Sequence, residues 1–354
     1  MSLNIPNPMN PMIPRILFSA EHEDFRRTAR RFFEEELAPH REKWEEQQHI
    51  DRNLWNKAGE LGLLCPTMPE EYGGSGVDRL YSVILMEEQA RAGDSASGFS
   101  LHSDIVANYL NNFASEELKQ KWLPKMASGE AVGSIAMTEP GTGSDLQAVR
   151  TSAVADGDDY IVNGSKIFIT NGYLCDIAVV VVKTGDISGG AGNISLLLIE
   201  ADRPGFTKGR PLKKVGMKGQ DTCELFFDNV RVPKSNLIGM EGMGFIMLMK
   251  ELAWERLMIA IMCAAGCEQV LAHTLAYVRD RKVFGKPVAA YQNTKYKLAE
   301  LRSETQIARV FVDKCIEEQI KGTLQVDAAA AAKYWVSDLM SKVADECVQL
   351  HGGY

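Results

Sequence analysis

Glu251 and Glu255 stand one helical turn apart in the stretch ELAWERLMIA (251–260), with Arg256 directly after the second. Two carboxylates on one helix face repel each other, so such a pair either points to water or is kept for chemistry. On a helix the neighbours of position 255 are 251, 252, 258 and 259, here Glu, Leu, Met and Ile. Apolar surroundings and a second carboxylate both favour the protonated form of the group between them. A carboxylate in that state suits a general base acting on a weakly acidic C–H. Arg256 projects about 100° away on an ideal helix and need not neutralise Glu255. The plain alternative is a pair of exposed acids on one polar stripe.

Four further segments carry candidate chemistry. In AMTEPGTGSD (136–145), Pro140, Gly141 and Gly143 make a tight loop whose main-chain N–H groups suit a phosphate, and Thr138 and Ser144 add hydroxyls. The same residue types make any surface turn, and the loop is not a GxGxxG nucleotide fingerprint. In KIFITNG (166–172), strand alternation puts Phe168 and Thr170 on one face and Ile167 and Ile169 on the other. An aromatic beside a hydroxyl can stack on a ring and bond to it, and a strand with one wet face reads the same way. In RDRKVFGKP (279–287), Arg279, Arg281, Lys282 and Lys286 surround Phe284, which fits a phosphorylated nucleotide or a solvated basic turn. In QLHGGY (349–354) the glycine pair reads as a helix C-cap or as main chain open to a ligand.

The elements that must hold these residues change along the chain. Residues 16–135 read as helices: Ser19 is a cap before EHEDFRRTARRFFEEEL, apolar residues recur at helical spacing, and further helical runs follow at 78–92, 102–113 and 115–128. From 136 to about 240 short alternating or β-branched runs, punctuated by Gly, Asp and Asn, predict an antiparallel sheet or small barrel. Three long helical stretches follow, 242–280, 291–321 and 324–350, as in a bundle. The order helix, sheet, helix is α+β, with domains at 16–135, 136–240 and 241–354 after a Pro-rich, mobile leader at 1–15. GDISGGAGN (185–193) reads as the most mobile loop.

Composition narrows the function. The 354 residues, 45% hydrophobic and 24% charged, are those of an ordinary globular protein. A net charge of −8 argues against a nucleic-acid-binding surface, so an acidic or phosphorylated ligand needs a local basic site. The aliphatic run IAVVVV (177–182) is too short to span a membrane, and no integral membrane segment is expected. The seven cysteines are scattered without a CxxC and read as reduced thiols. The six histidines are dispersed, and no metal is expected.

In order and spacing these five segments, with GQDTCELFFDNVRVP (219–233), resemble the acyl-CoA dehydrogenase family over nearly the whole chain. The resemblance implies an N-terminal helical domain, a middle β-domain and a C-terminal four-helix bundle, assembled as a homotetramer, a dimer of dimers, with FAD in each subunit. Ile135, Ala136, Met137, Thr138, Gly143 and Ser144 then belong to the flavin loop, with Ser144 also meeting substrate. Phe168, Ile169 and Thr170 face the isoalloxazine ring. Arg281, Phe284, Gln292, Gln349, Leu350, Gly352 and Gly353 hold the far end of FAD, that of a neighbouring subunit.

The resemblance also gives the glutamate pair its meaning. Most of the family places the catalytic glutamate near the C-terminus. The long-chain and isovaleryl branches carry it on the first long helix of the bundle, and ELAWERL is similar to the long-chain version, with Glu255 as base and Ala253 and Arg256 beside the substrate. That branch has a proline where Ala253 stands, and it shares Phe168 where others have tryptophan. Related chains run a few dozen residues further, so the resemblance places the last bundle helix beyond Tyr354.

The implied reaction is α,β-dehydrogenation of medium-to-long-chain acyl-CoA to trans-2-enoyl-CoA in fatty-acid β-oxidation, with electron transfer flavoprotein as acceptor. The implied place is the bacterial cytoplasm, or the mitochondrial matrix if a presequence was removed. Alternatives on the same fold are an isovaleryl-type dehydrogenase, a flavin oxidase or monooxygenase, and a non-catalytic assembly protein.

Overall fold

The computed structural model describes residues 12–185 and 190–354. Most of the leader expected at 1–15 and the centre of the loop expected at 185–193 lie outside the described residues. By compactness the chain divides into two units, each assembled from separate segments: Arg31–Ser82 with Asp94–Glu251, and the segment up to Arg30 with Val83–Gly93 and Leu252–Tyr354.

The first of these carries the sheet. Its strands are β1 (Gly133–Ala136), β2 (Ser152–Asp156), β3 (Asp159–Thr170), β4 (Ile177–Thr184), β5 (Ile194–Glu200), β6 (Phe206–Lys208), β7 (Thr222–Pro233) and β8 (Leu237–Ile238). They lie in the order β6-β7-β3-β2-β4-β5-β8, with β1 also on β4. The expected antiparallel sheet is in fact mixed. β3–β7 and β4–β5 are antiparallel, but β1 and β2 both run parallel to β4, pairing Ile135 with Val179 and Ser152 with Lys183. β2 and β4 flank no common turn, because β3 intervenes in sequence, so no hairpin forces them to oppose. A strand in such a central place is covered on both sides, and every residue of β4 is buried.

Alternation then sorts the two faces. Ile177, Val179, Val181, Leu196 and Leu198 join a core with helical residues such as Val106, Leu110, Leu123 and Met126. Ala178, Val180, Val182, Leu197 and Ile199 join a second core with Val162, Ile169, Leu225 and Val230.

The other unit is helical. Its long helices are the Gly244–Asp280 helix from Leu252 onward, Gln292–Ile320 and Val326–His351. Buried positions recur three or four apart, as in Leu257, Ile261, Ala264, Ala265 and then Ala329, Ala332, Val336, Leu339, Val343. The Gly244–Asp280 helix is long and apolar enough to cross a membrane, at mean hydropathy 1.4, but 56% of that stretch is buried within the protein. The expected cap at Ser19 is present: the Ala20–Phe32 helix begins with His22 N donating to Ser19 Oγ at 3.4 Å.

This unit also encloses charge. Glu87 has no exposed side chain and pairs with Arg15, Arg26 and Arg309, each at 2.8 Å. Arg309 also meets Glu268 at 2.7 Å, and Arg15 meets Asp313 at 2.7 Å. Burial pushes the Glu87 carboxyl up, but the surrounding guanidinium groups outweigh it and hold it well below the usual range.

Candidate functional site

Strand β1 is buried, with Ile135 at 8% and Ala136 at 0% exposure, and the chain reaches the surface only from Met137 onward. There Glu139 and Thr142 pair through their main chains at 2.9 and 3.0 Å, closing a tight turn around Pro140 and Gly141. Thr142 Oγ1 donates to Ala148 O at 3.1 Å, which ties down the far side of the loop. Gly143 and Ser144 are exposed. Gly141 and Gly143 are not in the left-handed region, and a Cβ at either would meet nothing within 4 Å. The chain's own packing therefore does not demand glycine here, and the main chain at both positions is open to close approach.

The alternation expected for KIFITNG stops at Lys166, in a strand whose register against β7 already shifts once between Val162 and Gly164. Lys166 and Ile169, three residues apart, are both buried, while Ile167 is half-buried and Phe168 is 64% exposed. The register against β7 jumps between Lys166↔Leu225 and Ile169↔Cys223, and Phe168 has φ +61°. This is a β-bulge, and it corrects the expectation that Ile167 and Ile169 share a face opposite Phe168 and Thr170. Ile169 turns into the core, so among the ring-facing candidates only Phe168 and Thr170 keep exposed side-chain surface. An aromatic at positive φ on a bulge is the kind of strained, outward placement found where a strand meets a ligand.

Two residues that hold this surface are not evident from motif reading as site residues. Lys166, at 0% exposure, donates from Nζ to Glu139 Oε1 at 2.9 Å and to Met137 O at 3.1 Å. Burial pushes the Lys166 ammonium down to about 8, against the opposing pull of Glu139. Burial raises the Glu139 carboxyl, but the Lys166 charge and its hydrogen bonds outweigh this and leave it below the usual range. The available signal is a lysine directly before the apolar run Ile167–Ile169 inside β3. Below the same strand, Asn171 Nδ2 donates to Gly98 O and Gly133 O at 3.1 and 3.3 Å, fixing the turn that ends β3.

The structure gives the two acids of the opening stretch different surroundings. Glu251 Oε1 accepts from Asn112 Nδ2 at 2.9 Å. Glu255 lies half-buried on the same helix, with Trp254, Leu257 and Met258 buried around it in sequence and Ile259 at 38% exposure. Ala253 and Arg256 are also half-buried.

In the helical unit the basic turn and the QLHGGY segment come together. Phe284 (φ +50°) and Gly285 (φ +79°) form the two-residue turn of a hairpin pairing Val283 with Lys286. Phe284 is 96% exposed. The Arg281 guanidinium lies 5.2 Å from the Tyr354 ring centroid. Tyr277 stacks on His351 at 4.3 Å and donates from Oη to His351 O at 3.1 Å. Gln292, Gln349, Gly352 and Gly353 are exposed, and Leu350 is half-buried.

A cavity of about 390 Å³ lies on the Glu139–Thr142 turn, with Arg150, Gly164 and Ser165 on its walls. A larger one of about 810 Å³, between Lys121, Asp176, Glu200 and Lys208, contains none of the candidate residues. Its cations are tied up: Lys121 and Arg203 pair with Glu200, and Lys125 with Glu130. The smaller cavity touches the AMTEPGTGSD loop at Glu139–Thr142, but Thr138, Gly143, Ser144, Phe168 and Thr170 are not on its walls. Among the described residues no cluster of His, Cys, Asp and Glu could hold a metal ion.

Three family models match: acyl-CoA dehydrogenase N-terminal domain over residues 19–130, middle domain over 134–230, and C-terminal domain over 242–354. A mitochondrial long-chain specific acyl-CoA dehydrogenase of Sus scrofa is 49% identical over 341 residues, covering 96% of this chain and 79% of that protein. The crystal structure of an acyl-CoA dehydrogenase from Geobacillus kaustophilus superposes with a TM-score of 0.94 at 47% identity, covering 96% of this chain and 90% of that one. A glutaryl-CoA dehydrogenase from Mycobacterium smegmatis, in complex with FADH2, superposes with a TM-score of 0.86 at 30% identity, covering 95% and 85%.

Proposed function

We propose, from the premise that this chain belongs to the acyl-CoA dehydrogenase family of flavin-dependent oxidoreductases, that it oxidises medium-to-long straight-chain acyl-CoA thioesters to trans-2-enoyl-CoA. The supporting observation is Glu255, a half-buried carboxylate on a largely apolar helix, in the position that the long-chain branch uses for its base. The similarity to a long-chain specific enzyme at 49% identity supports the same chain-length class.

The residues present fit FAD. Two glycines with open space around them suit phosphate oxygens, and an exposed Phe168 beside Thr170 suits a flat ring. Met137, Thr138, Gly143, Ser144, Phe168 and Thr170 would hold it, with Arg281, Phe284, Gln292 and Gln349–Gly353 serving the neighbouring subunit's cofactor in a homotetramer. When bound, the flavin supplies a hydride acceptor for the substrate β-carbon. Glu255 removes the α-proton through a carboxylate oxygen. Beside it Met258 is buried and Leu252 half-buried, which limits the access of water to that proton. Arg256, turned to another side of the helix, orients the substrate rather than quenching the base. Electron transfer flavoprotein is the proposed acceptor, the domains are those at 16–135, 136–240 and 241–354, and the compartment is the bacterial cytoplasm or mitochondrial matrix.

The test is anaerobic titration of the FAD-loaded protein with octanoyl-, palmitoyl- and isovaleryl-CoA, following flavin bleaching, beside Glu255→Gln. Bleaching by the straight-chain thioesters in wild type only is expected. Equal bleaching in the variant would move the base elsewhere; preference for isovaleryl-CoA would replace the substrate class; no bleaching with any thioester would sink the dehydrogenase reading.

A further inference from the structure

Lys166 and Glu139 bring three separate stretches of main chain together. Lys166 Nζ holds Met137 O at 3.1 Å and Glu139 Oε1 at 2.9 Å. The Glu139 carboxylate accepts the main-chain N–H of Arg150 at 2.7 Å and of Thr151 at 2.9 Å. Beside them Ile167 N donates to Thr138 O at 2.9 Å. The phosphate-facing loop, the start of β2 and the bulged end of β3 are thereby one piece.

Stability alone does not account for such a pair. Enclosing an ammonium and a carboxylate costs several kcal/mol per ion, and an apolar pair of similar volume is often as stable. What the pair specifies is geometry. The bulge begins at Lys166, and two residues later Phe168 stands at φ +61°. A non-glycine residue in that region costs about 1–3 kcal/mol and persists only where its surroundings over-determine it. With Lys166 held inward by Glu139 and Ile169 held inward by the core, an odd number of steps separates two residues that face the same way. Alternation cannot satisfy both, so the chain bulges and Phe168 is turned out.

We infer that the Lys166–Glu139 pair is a positioning device for the flavin, fixing the spacing between the loop at 137–142 and the outward Phe168 without touching the cofactor. The inference rests on the reading above that these segments hold FAD. It is tested in the full chain with Lys166→Met, Glu139→Gln and the double variant. The measurements are thermal unfolding of the apoprotein, the FAD dissociation constant, and the visible spectrum and reduction potential of the loaded protein.

Each single variant is expected to weaken FAD binding at least tenfold and to shift the flavin spectrum or potential. The double variant, which encloses no unpaired charge, is expected to regain part of the unfolding temperature but not the FAD affinity. Should a single variant fail to fold, the double variant decides. Variants that lose stability while dissociation constant, spectrum and potential stay at wild-type values overturn the inference alone. A wild-type chain that does not bind FAD overturns the functional reading and this inference with it.

Discussion

In the helical unit the buried charges face one another, whereas in the sheet unit several buried polar side chains also grip main chain. Arg15, Arg26, Arg91 and Arg309 meet Glu87, Glu88, Glu268 and Asp313 side chain to side chain. In the sheet unit, Glu139 holds two amides and His102 joins Gly133 N to Met126 O, both at 3.0 Å. Asp221 there accepts from Tyr173 N and Leu174 N at 2.9 and 2.7 Å. A network of side chains can be exchanged for apolar packing and leave the backbone where it was. A side chain that holds main chain cannot be exchanged without releasing a segment. The sheet unit's anchors cluster on β1 and the end of β3, the two segments that lead to the candidate cofactor surface.

The largest break in that comparison is expected at the candidate base. Glu255→Gln should lower the rate of flavin reduction by acyl-CoA about 10²–10⁴-fold with an unchanged unfolding midpoint, checked by anaerobic stopped flow and denaturant titration. Next, Glu87→Gln leaves several guanidinium groups around a neutral partner. It should cost about 3–5 kcal/mol of stability, read by denaturant unfolding, while the loaded flavin keeps its spectrum; a shifted spectrum would dissolve the distinction between scaffold and anchor.

His102 supplies a pH-dependent contrast. Its Nδ1 accepts from Gly133 N, so the proton sits on Nε2, facing Met126 O. Burial pushes the imidazole down to about 4 from its ordinary 6.5. The unfolded chain therefore binds the proton first: this stability is fully present above pH 6.5 and is lost as pH falls towards 4. The loss should be on the order of 3 kcal/mol, seen as a steeper fall in unfolding midpoint for wild type than for His102→Gln. Asp104, pushed up to about 6 by burial, has the opposite sign and is common to both chains.

Smaller still, Gly164→Ala should cost about 1–3 kcal/mol, read by thermal unfolding. Its φ is +149°, and a Cβ would lie 2.7 Å from Thr151 Cα. Glu251→Gln should change reduction rate and stability least, within about 1 kcal/mol, since it loses charge but keeps an acceptor for Asn112. A large kinetic effect there would transfer the base from position 255 to 251.

Much of this was legible in sequence. The long helices expected at 242–280, 291–321 and 324–350 stand at Gly244–Asp280, Gln292–Ile320 and Val326–His351, because three-to-four spacing of apolar residues is a local signal. The α+β order and the family followed from local patterns in the same way. Pairing did not. IAVVVV announces a strand buried on both faces, but which strands lie beside it depends on chain crossing, which no local window records.

The residue types of the cofactor surface, the candidate base and the helix that carries it are thus determined by sequence alone. The outward turn of Phe168 is decided only by tertiary structure. It arises because Lys166 meets a carboxylate 27 residues earlier in the chain while Ile169 meets the core. Alternation is a property of an isolated strand; two inward demands of opposite parity, imposed from different parts of the fold, break it.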